Sequence, residues 1–310
     1  MMQQISTIGF VIVSHETGPK LQRLIEALDR EYKNPPIAIH HDFSQAPIDQ
    51  QCFRAGIVWV KDWERTQWAK WSVVEGAIKA FKLLYSNLDT HWFFLLSAAD
   101  YPIRKGETVL AELADSPFDA YIDARCLNEN VQVSEIDPSQ FNAKLTHFAS
   151  RTNVAMKRKF YYSPQFWLPI VRTKPRIRLG KWTFRPPFDG NHPFLNGVEC
   201  HFGDHWFTAN RNAIGALLDP SSLNHSLQRH YRNRTQPDES YYATLFANTP
   251  NLRINLNNRR FAEWNGGGAG PMTLTCAQLS EILNSQAFFA RKMGDDDELC
   301  LLIDDAPSNL

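Results

Sequence analysis

The chain has 310 residues, 43% hydrophobic and 21% charged, with 33 basic side chains balanced by 33 acidic ones. A chain of this size can bury a substantial core, and its composition excludes wholesale disorder. Zero net charge removes any general bias toward nucleic acid, although Arg151 to Arg185 holds ten Lys or Arg and no acid, leaving minus ten on the remainder.

The continuous apolar run Ile8–Val13 reads as a central parallel strand, ended by Ser14, His15 and Glu16. Leu21, Leu24, Ile25 and Leu28 follow the spacing of one helix face. Ile37–His41 and Gly56–Val60 read as strands, and Val73, Val74, Ala77, Ile78, Phe81 and Leu84 mark a second helix. Trp92–Leu96 is a further buried strand, followed by a helix around Glu107–Leu113 and a strand near Ala120–Asp123. This alternation predicts an α/β fold with a mostly parallel sheet flanked by helices, whose ligands sit beyond the carboxyl ends of the strands. Ser14–Glu16, His41–Asp42 and Ser97–Asp100 are therefore site candidates from topology alone.

Residues 128–196 lack clear periodicity, are rich in proline and contain the basic stretch, so they read as a long irregular insertion. A strand is expected over Glu199–Ala209, then a helix over Arg211–Leu218, a helix from Pro237, a strand over Leu252–Leu256 and a helix over Cys276–Leu283. Gly266, Gly267, Gly268 and Gly270 predict a mobile loop.

Cys52, Cys126, Cys200, Cys276 and Cys300 are odd in number and show no Cys-x-x-Cys pair, which fits a reducing cytosol better than a disulfide framework. The amino terminus lacks the basic start of a signal peptide, and no apolar stretch is long enough to span a bilayer. Phosphate-loop, dinucleotide, zincin and serine-hydrolase motifs are missing. Cys200, His201, Asp204 and His205 are read as polar residues of one strand lining a cleft, in preference to a metal site.

Two stretches carry chemistry. Thr235 and Asp238 have capping-box spacing and Pro237 suits a first turn, so a helix start would fix Glu239 where its ionised form is favoured. A carboxylate held rigidly beside a cleft can act as general base, although first-turn acids commonly do no more than complement the helix dipole. In Phe288-Phe289-Ala290-Arg291-Lys292, two aromatics anchor a segment whose cations could meet an anion. A solvated basic pair beside the acidic run 295–298 is the plainer alternative.

Leu95-Leu96-Ser97-Ala98-Ala99-Asp100-Tyr101-Pro102-Ile103, Trp71-Ser72, Ile39-His40-His41-Asp42, Pro237-Asp238-Glu239-Ser240 and Phe289-Ala290-Arg291-Lys292 form a set whose order and spacing resemble the Core-2/I-branching β-1,6-N-acetylglucosaminyltransferase family. That family also contains the peptide O-xylosyltransferases. The resemblance runs from about Ile8 to about Lys292 and is weakest over 128–196. It implies a single GT-A-like (Rossmann-like) domain over 1–310, with a nucleotide-sugar half over 1–127, the basic insertion over 128–196 and an acceptor and catalytic half over 197–310. It further implies an inverting enzyme that transfers GlcNAc or xylose from a UDP-sugar with no cofactor and no divalent metal. The lack of a clear Asp-x-Asp after a central strand agrees with the last point.

By the same resemblance Glu239 matches the catalytic base, Lys292 with Arg291 the diphosphate site, and Val13, His15 and Asp42 the strand ends that receive the uridine. Trp264 matches a position near the acceptor sugar, and Asp100 and Trp206 are assigned to that side. A second diphosphate arginine of the branching enzymes is replaced here by Gly268-Ala269-Gly270-Pro271, and Arg260 or Arg259 is the substitute considered. The paired cysteines, anchor and stem of secretory relatives are not found. The expectation is therefore a cytoplasmic enzyme at the inner membrane face, acting on a glycan or lipid-linked glycan of a bacterial-type surface polysaccharide. Contact with anionic lipid would run through 151–185, and no nucleic-acid partner is expected. The competing readings are a non-catalytic glycan-binding protein and a peripheral-membrane adaptor.

Overall fold

The computed structural model describes residues 7–86, 89–127, 161, 177–179, 182–184, 193–195, 197–264 and 270–306. The order begins β1 (Thr7–Ser14), α1 (Gly18–Tyr32), β2 (Ile37–His41), β3 (Val58–Trp59), α2 (Trp71–Tyr85), β4 (Thr90–Ser97), β5 (Asp100–Pro102), α3 (Gly106–Ala114), β6 (Ala120–Ile122) and β7 (Arg125–Cys126). It continues with β8 (Ile177–Leu179), β9 (Trp182–Phe184), β10 (His201–Phe202), β11 (Phe207–Asn210), α4 (Arg211–Leu218), α5 (Ser222–Tyr231) and α6 (Tyr241–Asn248). Then come β12 (Ile254–Asn255), β13 (Arg260–Ala262), α7 (Leu279–Asn284), β14 (Phe289–Arg291) and α8 (Glu298–Asp304).

Seven strands form the main sheet in the order β12-β6-β11-β4-β1-β2-β3. Neighbours β3, β2, β1 and β4 are parallel, whereas β11 runs antiparallel to both β4 and β6. Strands from both halves of the chain thus share one sheet, the mixed and mostly parallel architecture of the predicted GT-A-like class.

The continuous hydrophobicity of β1 and β4 follows from their central position. Side chains alternate between faces, so Val11, Val13, Phe93 and Leu95 enter one core with α2, α4 and α6. Ile8, Phe10, Ile12, Phe94 and Leu96 enter the other with α1 and α3. Each large side chain buried in this way contributes about 1.5–3 kcal/mol relative to exposure. Helix α1 starts behind Thr17 with proline in its first turn and stops at Lys33, whose φ of 57° is left-handed.

A second sheet, β13-β14-β5, packs with α7 and α8 around Tyr101, Leu274, Ile282, Ala290 and Leu299. Its short strands β5 and β14 pair antiparallel, setting Arg291 opposite Asp100.

Two sequence expectations are corrected. The single strand over 199–209 is two strands, β10 and β11, interrupted at 203–206, because Gly203 passes against the end of β6. A Cβ at Gly203 would lie 1.8 Å from the Asp123 carbonyl oxygen. The helix expected from Pro237 is a 3-10 turn over Pro237–Glu239 followed by α6. Its cap is Gln236 with φ 54°, without the Thr235 capping box.

The glycine loop at 265–269 and most of the basic stretch, with its expected membrane contact, lie outside the described residues. Among the described residues no helix is long and apolar enough to cross a membrane.

Candidate active site

The parallel strands β1, β2 and β4 deliver their carboxyl ends to one edge of the sheet. There the Asp42 amide donates to the Ser14 carbonyl at 2.9 Å, which joins the ends of β1 and β2. Val13 is buried between its strand neighbours, and His15 stands exposed just beyond the end of β1.

Asp42 is 0% exposed. Its Oδ1 accepts from the Ser44 amide (3.0 Å) and hydroxyl (2.6 Å). Its Oδ2 accepts from Gln45 Nε2 (2.6 Å), the Thr66 amide (2.7 Å) and the Thr66 hydroxyl (2.9 Å). Burial alone would push this carboxyl up, but the hydrogen bonds from Ser44, Gln45 and Thr66 outweigh it and hold it well below the usual carboxylate range. A carboxylate offers about four lone-pair positions, so these donors saturate Asp42. It ties together the two loops that carry Ser44, Gln45 and Thr66.

Three residues beyond Thr66, the Ala69 carbonyl accepts from the Gln236 amide at 3.0 Å. Both residues are left-handed, with φ of 59° and 54°, a conformation that non-glycine side chains adopt at a cost of about 1–3 kcal/mol. Gln236 leads directly into the turn that carries Glu239.

The Glu239 side chain is partly exposed. Tyr161 donates its hydroxyl to Oε2 at 3.2 Å, and Gln236 Nε2 donates to Oε1 at 3.4 Å. Burial, with Glu239 and Asp238 adding, pushes the Tyr161 phenol well above its ordinary value, so it stays a donor. The Glu239 carbonyl accepts from the Gly203 amide at 2.7 Å, which fastens the turn to the break between β10 and β11.

That break ends in Trp206, over whose ring the Arg291 guanidinium carbon lies 4.5 Å from the centroid. Arg291 Nε is also 3.5 Å from Asp100 Oδ1. Asp100 Oδ2 caps its own turn, accepting from the Ser97 amide (2.7 Å) and hydroxyl (2.5 Å).

Lys292 follows Arg291, and the segment after it docks on the start of α1. Arg23 donates to the Gly294 carbonyl (2.7 Å), the Asp296 carbonyl (2.8 Å) and Asp297 Oδ1 (2.8 Å). Lys20 lies 3.0 Å from Asp295 and 3.5 Å from Glu16. Lys20 holds the Asp295 carboxyl below its ordinary range, with Arg23 and then Lys292 adding to the effect. Lys292 is thereby carried toward the His15–Glu16 end of β1.

These contacts, with the chain segments between them, form a closed circuit through Asp42, Thr66, Ala69, Gln236, Glu239, Gly203, Trp206, Arg291, Lys292, Asp295, Lys20, Glu16 and Ser14. Trp264 lies two residues past β13, whose Ala262 pairs with Arg291 in register. Arg260 is placed differently. It is 2% exposed, reaches the Phe207 carbonyl at 3.3 Å and lies between the Phe94 and Phe289 rings. Burial pushes its pKa down to about 10 against the opposing pull of Asp100 and Asp204, so the guanidinium keeps its charge at neutral pH inside the core.

Sequence reasoning missed the Ala69–Gln236 link, Tyr161, the role of Gly203 and Trp68. Trp68 is 71% exposed and immediately precedes Ala69. An isolated glycine in a strand pattern was a readable sign of close backbone approach. The left-handed pair left no local sign.

The Core-2/I-Branching enzyme family model matches residues 8–286. Among curated proteins, Xylosyltransferase 1 from Canis lupus familiaris is 26% identical over 268 residues, covering 83% of this chain and 24% of that protein. Xylosyltransferase 1 from Rattus norvegicus is 24% identical over the same length, covering 83% and 28%. The human protein of that name is 24% identical, covering 83% and 24%. The chain therefore spans about a quarter of the length of these relatives. By the extent of the family match, the chain belongs to the Core-2/I-branching enzyme family.

Proposed function

We propose that this protein is an inverting glycosyltransferase that moves xylose or GlcNAc from a UDP-sugar to a hydroxyl of a glycan acceptor, without a catalytic divalent metal. The observation that supports this reading is the closed circuit of contacts, which links the segments carrying Glu239 and Lys292 to the carboxyl ends of β1 and β2.

In the reaction, the acceptor hydroxyl passes its proton to Glu239 as its oxygen bonds to the anomeric carbon. The bond from that carbon to the diphosphate oxygen breaks on the opposite face, and UDP leaves with the electron pair. Lys292 stabilises the charge that builds on the diphosphate. Arg291, committed to Asp100 and Trp206, braces the strand end that presents Lys292. Trp68 and Trp264 offer apolar faces to the acceptor sugar.

The relatives' name puts UDP-xylose first among the donors to try. Five cysteines without a Cys-x-x-Cys pair fit a reducing, cytoplasmic setting. A surface-polysaccharide precursor, lipid-linked and held near anionic membrane by the basic 151–185 stretch, is the acceptor class favoured here. Flotation with phosphatidylglycerol vesicles tests that last point, and failure to co-float would reject it.

The direct test is a thermal-shift and UDP-release series with UDP-xylose and UDP-GlcNAc in EDTA. The reading expects one donor to raise the melting temperature by mass action and to release UDP when acceptor is added. Glycan binding without any response to UDP ligands would favour the non-catalytic alternative. Activity that requires added Mg²⁺ or Mn²⁺ would reject metal independence.

A further inference from the structure

Strands β7 and β10 pair antiparallel with Cys126 directly opposite His201, and directly opposed residues project from the same face. Glu199 reaches the same place from two residues upstream. The Cys126 Sγ, a His201 ring nitrogen and a Glu199 carboxylate oxygen all lie within 4.8 Å of one another.

Two features pre-organise this cluster. His201 Nδ1 is 3.1 Å from the Glu199 main-chain carbonyl. A carbonyl only accepts, so Nδ1 carries the proton and Nε2 keeps the lone pair, the arrangement seen in metal-ligating histidines. Glu199 is in turn pinned by Asn248, which accepts from its amide at 2.8 Å and donates to its carbonyl at 2.7 Å.

We propose that Cys126, Glu199 and His201 form a binding site for one zinc-class divalent ion, with solvent in the fourth position. The mixed sulfur, nitrogen and oxygen set suits Zn²⁺ or Co²⁺, whereas Mg²⁺ and Ca²⁺ prefer oxygen alone. Metal–ligand lengths of about 2.0–2.3 Å separate tetrahedral ligands by about 3.3–3.8 Å, so a bound ion would draw the three atoms inside the 4.8 Å that bounds them here. On binding, Cys126 gives up its proton to solvent.

The site acts as a structural clamp. His201 exchanges hydrogen bonds with Thr244 (2.9 and 3.0 Å), and its carbonyl accepts from Ser240 at 2.5 Å. Two residues later, Gly203 holds the Glu239 carbonyl. A metal joining β7 to β10 therefore stiffens the segment that fixes the turn of Glu239. Of the Cys200, His201, Asp204 and His205 cluster noted in the sequence, only His201 takes part. The inference does not depend on the transferase reading.

The test titrates full-length protein, stripped with chelator and held reduced, with Co²⁺. One equivalent should produce tetrahedral visible bands and a thiolate-to-cobalt charge-transfer band, and Zn²⁺ should displace both. Cys126→Ser should abolish the charge-transfer band, and His201→Gln should weaken Co²⁺ binding by at least about 10-fold. The exposed Cys52→Ser control should leave both properties intact. Wild-type protein lacking the charge-transfer band, or a band that survives Cys126→Ser, would overturn the proposal.

Discussion

Two carboxylates on the circuit, Asp42 and Glu239, contrast sharply. Asp42 is wholly buried and saturated by donors from two loops. Glu239 is partly exposed and receives longer hydrogen bonds, at 3.2 and 3.4 Å, from Tyr161 and Gln236. The first carboxylate is committed to holding backbone, whereas the second is held by longer side-chain hydrogen bonds at a partly exposed position. Strand ends that cradle a ligand gain from rigidity, whereas a general base must hold its position and still exchange a proton. The contrast predicts that substitutions on the Asp42 side register mainly in stability, and those on the Glu239–Lys292 side mainly in turnover.

After substitution of Glu239 itself, the largest effect lies at Lys292. Lys292→Ala is expected to lower kcat by about 10²–10³-fold, as for loss of one transition-state donor, with a smaller change in donor KM. Steady-state UDP release measures it, and a change confined to KM would shift the lysine's role to ground-state binding.

Next comes pH. His40 is buried with its Nε2 accepting the Glu64 amide at 2.8 Å. Burial lowers its pKa to about 4, against an opposing pull from Asp42. The unfolded chain takes up this proton near pH 6.5 and the folded chain does not. Stability should therefore fall as pH drops from about 6.5 to about 4, by up to about 3 kcal/mol at about 1.4 kcal/mol per unit. Urea unfolding across that range should show the slope, and His40→Gln should flatten it. The depressed Asp42 carboxyl acts in a lower window, where its contribution is lost only as pH falls below about 4.

Asp42→Asn sharpens the comparison, because an amide nitrogen would then face the donors from Gln45 and Thr66. A loss of about 1–3 kcal/mol in urea unfolding is expected, with turnover per folded molecule largely kept. A collapse of kcat without destabilisation would give Asp42 a direct chemical role instead. The smallest effect belongs to Trp68→Ala. Removing one stacking face of about 0.5–1.5 kcal/mol should raise acceptor KM several-fold and leave donor KM unchanged. An unaltered acceptor KM would take Trp68 out of the site.

What could be read from the sequence follows the same division. β1, α1, β2, α2 and β4 are long, periodic and central, so local pattern and tertiary packing agree, and Ile37–His41 and Arg211–Leu218 match their predicted bounds. The second sheet escaped because β5, β13 and β14 have three residues each and draw their pairing from distant backbone. Helix α5 was overlooked although the Ser221 side chain caps it. At the site, Glu239 and Lys292 were nominated by motif resemblance. The contacts joining them run through a left-handed pair, a main-chain bond to Gly203 and a ring–cation stack, of which only the glycine has a local sequence sign. Arg260 shows the converse: a cation chosen by proximity in sequence is enclosed by aromatic rings in the core.

The central claim is that Glu239 moves a proton and does not merely shape the fold. Glu239→Gln keeps the size of the side chain and its acceptor oxygen while removing its basicity. With donor and acceptor both saturating, UDP release should fall about 10²–10⁴-fold, while the melting-temperature rise on adding UDP-sugar stays at the wild-type value. Near-normal turnover in that variant would contradict the account.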